Sequence, residues 1–275
     1  MSDEGVGVAM DLRQLVRGRL SWPRLETVAR ELAVRYDRDA VHVEFLEADN
    51  WLSTPMVVDE RWFVKVVSPQ NTLVHALFTT GRNLGAVTSG CEGFFDRFWT
   101  PYEMAQHELE ATRKMRSIGL NAPRPVEAFE VDNLGVVVLE YLPSFRSLEE
   151  LNREEVNRHA PKLFEALRTM HDNGLAHGDL RGENVLIYDD AIYFIDATKV
   201  QHESDAGAYD LACGLAALEP LIGTKDTVRA AETAYSIDDL LEALDFLDFV
   251  NIRPDHDFDA TAMKGAIETT AGRIN

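Results

Sequence analysis

Cysteine and long apolar stretches are scarce in this chain of 275 residues. Its two cysteines, Cys91 and Cys213, match no metal-ligand spacing, which argues against structural zinc and suits a reducing compartment. No apolar run approaches the roughly 20 residues of a membrane helix, since even segment 211–222 contains Glu219 and Pro220. The first residues lack the basic-then-apolar order of a secretory signal. We therefore expect a cytoplasmic protein with no membrane partner.

Lysine is also scarce, with six lysines against 21 arginines, whereas Asp and Glu number 47 and the net charge is -20. Surfaces that bind nucleic acid are normally basic, so direct binding of nucleic acid is not expected. The acidic residues are spread along the chain, as in proteins of salt-loving archaea, whose carboxylates stay hydrated where the Debye length is about 3 Å. An acidic surface without adaptation to salt is the open alternative.

The periodicity of apolar residues predicts an α+β chain in which most strands precede most helices. Helical spacing from residue 11 to 35, with a fresh start at Ser21-Trp22-Pro23, predicts a helical extension over 1–40. The predicted strands are 41–46, 56–58, 61–67, 126–129, 135–141, 185–188 and 192–195. The predicted helices are 101–118, 154–172, 210–222, 227–235, 237–251 and 261–274. Pro161 should kink its helix or mark the first turn.

These elements predict two parts after the extension. A strand-rich part covers 41–142 and contains an insertion at 68–100 with four scattered glycines. A helix-rich part covers 143–275, and the residues from Pro143 to Ser147 suit a hinge between the two. The chain is long enough for two lobes that share a cleft.

Polar residues concentrate in the segment 177–187, His-Gly-Asp-Leu-Arg-Gly-Glu-Asn-Val-Leu-Ile, and at Asp196. Two strand-like runs surround Asp189-Asp190-Ala191 and predict a hairpin. In a register centred near residue 190, Asn184 lies opposite Asp196, and their oxygens suit a Mg²⁺ that also binds phosphate. Asp179, on the loop that enters the same strand, can reach a hydroxyl nucleophile beside that phosphate. A surface hairpin with turn carboxylates is the alternative.

This segment resembles the catalytic and metal-binding loops of the protein-kinase-like superfamily, in which Asp-x-x-x-x-Asn precedes a strand-ending Asp. The His-Gly-Asp opening is similar to that of the RIO family, the kinase of the KEOPS complex and the aminoglycoside phosphotransferases. The resemblance implies a two-lobed kinase fold, with Asp179 as the catalytic aspartate and with Asn184 and Asp196 as metal ligands. His177 is expected to orient the loop.

Other kinase elements occur in the expected order. Lys65, in Phe-Val-Lys-Val-Val, resembles the strand lysine that holds the nucleotide phosphates. Glu108 is the preferred partner for its ion pair, and Glu110 is the competing candidate. The run 136–142 resembles the kinase hinge, so the resemblance implies that backbone groups of Glu140 and Leu142 meet adenine.

The chain also departs from ordinary protein kinases. No glycine-rich loop lies between the first two strands, so phosphate contact there would require Asn50, Ser53, Thr54 or backbone amides. The metal motif is Asp196-Ala197-Thr198 instead of Asp-Phe-Gly, and no Ala-Pro-Glu follows it. A usual activation segment for docking peptides is therefore missing.

The resemblance is closest to RIO-type atypical serine/threonine kinases, and it implies a kinase or ATPase that uses ATP and Mg²⁺. The expected acceptor is a protein, with a ribosomal or other assembly complex as a candidate partner. One alternative is a small-molecule phosphotransferase of the aminoglycoside or choline kinase type. Another is a nucleotide-binding regulator of ribosome maturation with little turnover.

Overall fold

The computed structural model of the protein describes residues 20–46, 53–73, 98–197, 204–253 and 256–274. Most of the predicted insertion at 68–100 lies outside these residues. The described part has the expected α+β class, with an antiparallel sheet first and a helical part after it. None of its helices is long and apolar enough to cross a membrane.

Two compact units divide the described residues. The first unit contains 20–46, 53–73, 98–110 and 124–143. The second unit contains 111–123, 144–197, 204–253 and 256–274. One helix, Pro101–Ser117, begins in the first unit and ends in the second. The division into an extension at 1–40 and lobes at 41–142 and 143–275 stays a prediction.

An antiparallel sheet is the framework of the first unit. Its strands are β1 (Val43–Phe45), β2 (Thr54–Val58), β3 (Trp62–Val67), β4 (Pro125–Val131) and β5 (Leu134–Glu140). Their order across the sheet is β1-β2-β3-β5-β4, which confirms the predicted meander and second hairpin. Asp132 and Asn133 join the last two strands with φ values of 49° and 57°, a two-residue turn that matches the strand twist.

Two helices cover opposite faces of this sheet. They are α1 (Trp22–Arg35) and α2 (Pro101–Ser117). Val64 of β3 shares an apolar core with Leu32 of α1, whereas Leu109 of α2 packs against Val137 on the other face. Because successive strand residues point to opposite faces, Lys65 lies on the face that α2 covers.

The start of α2 lies directly against β5 at Gly135. A Cβ atom added to Gly135 would lie 2.0 Å from the carbonyl oxygen of Pro101, so a larger residue would displace the helix. This close approach fixes the position of α2 along the sheet. It therefore also fixes Glu108, which is on the same helix.

Helices make up most of the second unit. They are α3 (Arg153–Asp172), α4 (Ser204–Ile222), α5 (Thr224–Ala231), α6 (Ile237–Asn251) and α7 (Ala260–Ile274). A small sheet contains β6 (Arg146–Ser147), β7 (Val185–Tyr188) and β8 (Ala191–Phe194). Leu211, Leu215 and Leu218 of α4 are at most 1% exposed, so α4 is central to the apolar core of this unit. Helix α4 begins before its predicted start at Asp210.

Helix α3 begins at Arg153, where a reciprocal cap forms. Asn152 accepts the N–H of Glu155 through its side chain, and the Glu155 carboxylate accepts the N–H of Asn152. The cap starts the helix well before Pro161, which lies inside it. The alternative in which Pro161 marks the first turn is therefore wrong.

Candidate active site

Lys65 and Glu108 form an ion pair inside the first unit. Nζ of Lys65 lies 2.9 Å from Oε1 of Glu108, and the lysine side chain is 5% exposed. Removing an ammonium group from water is costly unless a carboxylate compensates it, so Glu108 stabilises the buried lysine. Strand β3 and helix α2 position this pair, because the Lys65 side chain points from the strand toward the helix that carries Glu108.

The predicted adenine-binding segment begins at the end of β5. The N–H of Glu140 donates to the carbonyl oxygen of Arg124 at 2.8 Å, and the Glu140 carboxylate accepts the N–H of Arg124 at 3.1 Å. The N–H of Tyr141 donates to the carbonyl oxygen of Arg61 at 3.0 Å. Because these two N–H groups serve the protein, Glu140 would contact adenine through its carbonyl oxygen. Leu142 is buried in the same unit.

Three side chains are predicted to contact phosphate in place of a glycine-rich loop, those of Asn50, Ser53 and Thr54, and Thr54 is the first residue of β2. Asn50 lies outside the described residues. Ser53 is buried at 8% exposure, immediately before β2. Its phosphate contact stays a prediction.

The hairpin of β7 and β8 corrects the predicted register by one residue. Val185 pairs with Phe194, and the N–H of Ile195 donates to the carbonyl oxygen of Asn184 at 3.1 Å. Asn184 therefore lies opposite Ile195, and the expectation that it lies opposite Asp196 is wrong. Asp196 follows directly, so the two side chains predicted to bind metal still come from adjacent ends of one hairpin.

Asn184 and Asp196 supply oxygen ligands of the kind that magnesium prefers. Nδ2 of Asn184 donates to the carbonyl oxygen of Asp179 at 2.8 Å, so Oδ1 is its atom suited to a cation. Asp196, two residues after the end of β8, has a φ of 61°, which is uncommon outside glycine. Within the described ranges, no cluster of three or more His, Cys, Asp or Glu could hold a metal. Asn184 and Asp196 together would fit a Mg²⁺ that keeps water and phosphate oxygens as its other ligands.

Asp179 is held between two arginines. Its Oδ1 lies 2.7 Å from Nη2 of Arg253, and its Oδ2 lies 3.2 Å from Nη2 of Arg181. The Asp179 side chain is 10% exposed. Arg181 also pairs with Glu183, whereas Arg253 is itself buried. The orientation of the carboxylate is thus fixed from two sides.

The His-Gly-Asp loop, which we define as residues 177–184, is attached to α4 through Asp210. The buried Asp210 carboxylate accepts the N–H of His177 and, at 2.8 Å, the N–H of Gly178. Nε2 of His177 lies 2.9 Å from the carbonyl oxygen of Ile195, which can only accept, so Nε2 carries the proton. Nδ1 then accepts the N–H of Asp179 at 3.4 Å. Burial lowers the pKa of His177, which suits an orienting role.

Sequence reasoning missed Asp210 and Arg253. Asp210 leads directly into the apolar run 211–218, and an acidic residue in that position could have signalled a buried role. Arg253 has no comparable signal, because it follows Asp179 by 74 residues and its own neighbours suggest no site.

Comparisons with known proteins show which families and folds parts of the chain resemble. Residues 99–211 match the family model of the RIO domain. The matched range contains Glu108, Asp179 and Asp196, whereas Lys65 and Arg253 lie outside it.

Two curated relatives are similar to parts of the chain. The KEOPS complex subunit Bud32 of Pyrococcus abyssi is 31% identical over 98 residues, which cover 34% of this chain and 43% of the relative. The 3-deoxy-D-manno-octulosonic acid kinase of Vibrio cholerae is 29% identical over 152 residues, which cover 50% of this chain and 60% of the relative. The chain thus spans about half the length of these relatives.

A solved structure extends the similarity to most of the chain. A protein from Haemophilus somnus described as a fructosamine-3-kinase has a TM-score of 0.51 and 10% identity. The similarity covers 89% of this chain and 97% of the other. The fold of the chain is therefore protein-kinase-like.

Proposed function

We infer that this chain, which contains a RIO-type domain within a protein-kinase-like fold, transfers a phosphoryl group from ATP to an acceptor. The observation that carries the proposal is the set of polar residues in both units. The first unit holds the buried Lys65–Glu108 pair. The second unit holds Asp179, Asn184 and Asp196 on one loop and the hairpin that follows it. Buried, paired charges such as Lys65–Glu108 and Asp179 are more typical of functional sites than of plain structural positions.

The proposed roles follow from the chemistry of each side chain. Lys65 is proposed to bind the nucleotide phosphates, and Glu108 holds its ammonium group in place. Asp179 is proposed to accept the proton of the attacking hydroxyl group, since its carboxylate lies in the His-Gly-Asp loop. Asn184 and Asp196 would hold Mg²⁺, which would neutralise charge on the phosphate oxygens.

The nucleotide-binding contacts complete the proposal. The carbonyl oxygen of Glu140 and the backbone of Leu142 are proposed to recognise adenine. Asn50 and Ser53 are proposed to contact phosphate where ordinary kinases use a glycine-rich loop. Main-chain recognition needs no particular side chain, so substitutions of the Glu140 and Leu142 side chains should retain adenine binding.

The proposed acceptor is a protein hydroxyl group or the carboxylate of Asp196 itself. The RIO-type domain supports this choice, and so does the similarity to a protein named as a subunit of the KEOPS complex. A ribosomal or other assembly complex is the proposed setting, and a regulator of ribosome maturation with little turnover belongs to the same setting. The acidic composition and the two cysteines support a proposed place in a salt-rich cytoplasm, without direct binding of nucleic acid.

A small-molecule kinase is the second candidate function. Two relatives, from Vibrio cholerae and Vibrio parahaemolyticus, are named as kinases of 3-deoxy-D-manno-octulosonic acid, and the second match covers 69% of that relative. The short segment between Asp196 and α4 also favours a small acceptor, because it leaves little chain to hold a peptide.

Labelled ATP can decide between these acceptors. The purified protein is incubated with γ-labelled ATP and Mg²⁺ in molar KCl, and the products are divided into samples with and without hydroxylamine. Label that hydroxylamine removes indicates an acyl phosphate, and label that resists it indicates a hydroxyl ester. ATP consumption that rises only with an added sugar acid or amino alcohol supports the small-molecule kinase. Absence of any ATP turnover with all acceptors would refute phosphotransfer, and Asp179→Asn is the matched inactive control.

A further inference from the structure

Arg253 connects the C-terminal helices to Asp179, although it lies outside the range that matches the RIO domain. It follows α6, and its N–H donates to the carbonyl oxygen of Val250 at 3.1 Å. Its Nη2 atom lies 2.7 Å from Oδ1 of Asp179. Its Nη1 atom donates to the hydroxyl oxygen of Tyr209 and lies 3.9 Å from Sγ of Cys213.

The surroundings of Arg253 are aromatic and largely shielded from water. Its side chain is 6% exposed, and Tyr209 is fully buried. The Tyr209 ring packs against Phe246 and Phe249 of α6, with ring centroids 6.0 and 5.8 Å apart. An ion pair in such surroundings is screened less by salt than a surface pair, and a planar guanidinium group also fixes direction.

Arg253 constrains Asp179 more strongly than Arg181 does. Arg181 is 26% exposed and also pairs with Glu183, so water and a second carboxylate compete for it. Arg253 approaches the other carboxylate oxygen from the protein interior.

We propose that Arg253 is a positioning residue, which holds the Asp179 carboxylate in the orientation that accepts the hydroxyl proton. This inference rests on the proposed phosphotransfer, in which Asp179 acts on the attacking hydroxyl. Helix α6 would then contribute to catalysis, because Arg253, just after its end, contacts Asp179. Small displacements of a catalytic group cost up to about 10²-fold in rate, so loss of this contact should slow transfer rather than weaken ATP binding.

Arg253→Ala tests the proposal when turnover and the Kd for Mg-ATP are measured separately. We expect turnover at saturating ATP to fall at least about tenfold, while the Kd for Mg-ATP stays within about threefold. Millimolar guanidinium ion should restore part of the turnover of Arg253→Ala, because it can occupy the cavity beside Asp179. It should not restore Asp179→Asn.

Two further variants keep the test decisive if Arg253→Ala does not fold. Arg253→Lys retains the charge but not the fork, and Tyr209→Phe removes only the hydroxyl group that holds Arg253. We expect both to fold and to lose about three- to tenfold in turnover at unchanged Kd for Mg-ATP. Arg168→Ala is the matched control, since Arg168 pairs with Asp172 and Asp239 on α3 and α6. It should lower stability without lowering turnover of the folded protein.

The outcomes separate this inference from the proposed function. Wild-type protein without ATP turnover would overturn both. Active wild-type protein together with Arg253→Lys and Tyr209→Phe at full turnover would overturn only the role of Arg253. A fall in turnover that merely follows the folded fraction, without guanidinium rescue, would also overturn it.

Discussion

The carboxylate of Asp210 accepts the backbone N–H of Gly178 at 2.8 Å, entirely inside the second unit. Gly178 has a φ of 80°, a conformation that other residues rarely adopt. The same carboxylate accepts the N–H of His177. A buried carboxyl group from a distant helix therefore helps to hold the conformation of this loop, in which Asp179 follows directly.

Asp210→Ala should destabilise the protein and abolish transfer. The substitution removes the acceptor of two buried N–H groups, each at a cost of about 1–3 kcal/mol, so the free energy of unfolding should fall by about 2–6 kcal/mol. Urea denaturation measures this loss. Asp226→Ala is a control that removes partly exposed ion pairs with Arg153 and Arg229, and each pair should contribute about 0–1 kcal/mol. A loss below about 1 kcal/mol for Asp210→Ala would contradict the bracing role.

Lys65→Met should weaken ATP binding or productive ATP alignment, with kcat/KM for ATP reduced by at least about 10²-fold. Glu108→Gln should act in the same direction, because it removes the carboxylate that neutralises the buried lysine. Steady-state kinetics over a range of ATP concentrations provide the measurement. Glu110→Gln, an exposed position on the same helix, is the control. Equal losses in Glu110→Gln and Glu108→Gln would contradict a specific role for Glu108.

Substitutions of Asp179 and Asp196 should have separable effects. Asp179→Asn should lower turnover by at least about 10²-fold, because it removes the proposed general base. ATP affinity should stay within a few fold, because no proposed phosphate contact is lost. Asp196→Ala should abolish the Mg²⁺-dependent part of ATP binding. Titration calorimetry with and without Mg²⁺ measures affinity. Unchanged Mg-ATP affinity in Asp196→Ala would place the metal elsewhere.

Acidification should destabilise the fold through His177. Burial lowers its pKa in the native state, so the unfolded chain binds a proton below about pH 6.5 that the native state does not take up. Stability is therefore retained above this pH and lost as the pH falls. The free energy of unfolding between about pH 7.5 and 5.5 should decline less steeply in His177→Gln, with His42→Gln as an exposed control. Identical slopes in wild type and His177→Gln would contradict this.

Salt should stabilise the protein. The 47 acidic side chains outnumber the 27 basic ones, and their repulsion in dilute buffer should weaken when salt screens it. We expect the melting temperature to rise between dilute buffer and about 2 M KCl. Sorbitol at matched osmolality is the control, since it does not screen charge. A melting temperature that does not rise in KCl would argue against adaptation to salt.

The sequence by itself determined the types and order of the elements. Alternating apolar residues identified β2, β3 and β5, and the spacing of His-Gly-Asp and Asn184 identified the loop that carries the predicted site. These features depend on local periodicity and on short spacings, which the chain encodes within a few residues. The helix at Ile237–Asn251 matched its predicted limits for the same reason, because Ser236 caps it.

Only the tertiary structure decided how these residues meet. Asp189 and Asp190 form a two-residue turn with φ values of 49° and 59°, whereas the sequence suggested a three-residue turn, and this difference moved Asn184 opposite Ile195. The contacts of Asp210 and Arg253 with the His-Gly-Asp loop join residues more than 30 positions apart. Such contacts depend on how helices pack around a common core, and one sequence contains no local pattern that specifies them.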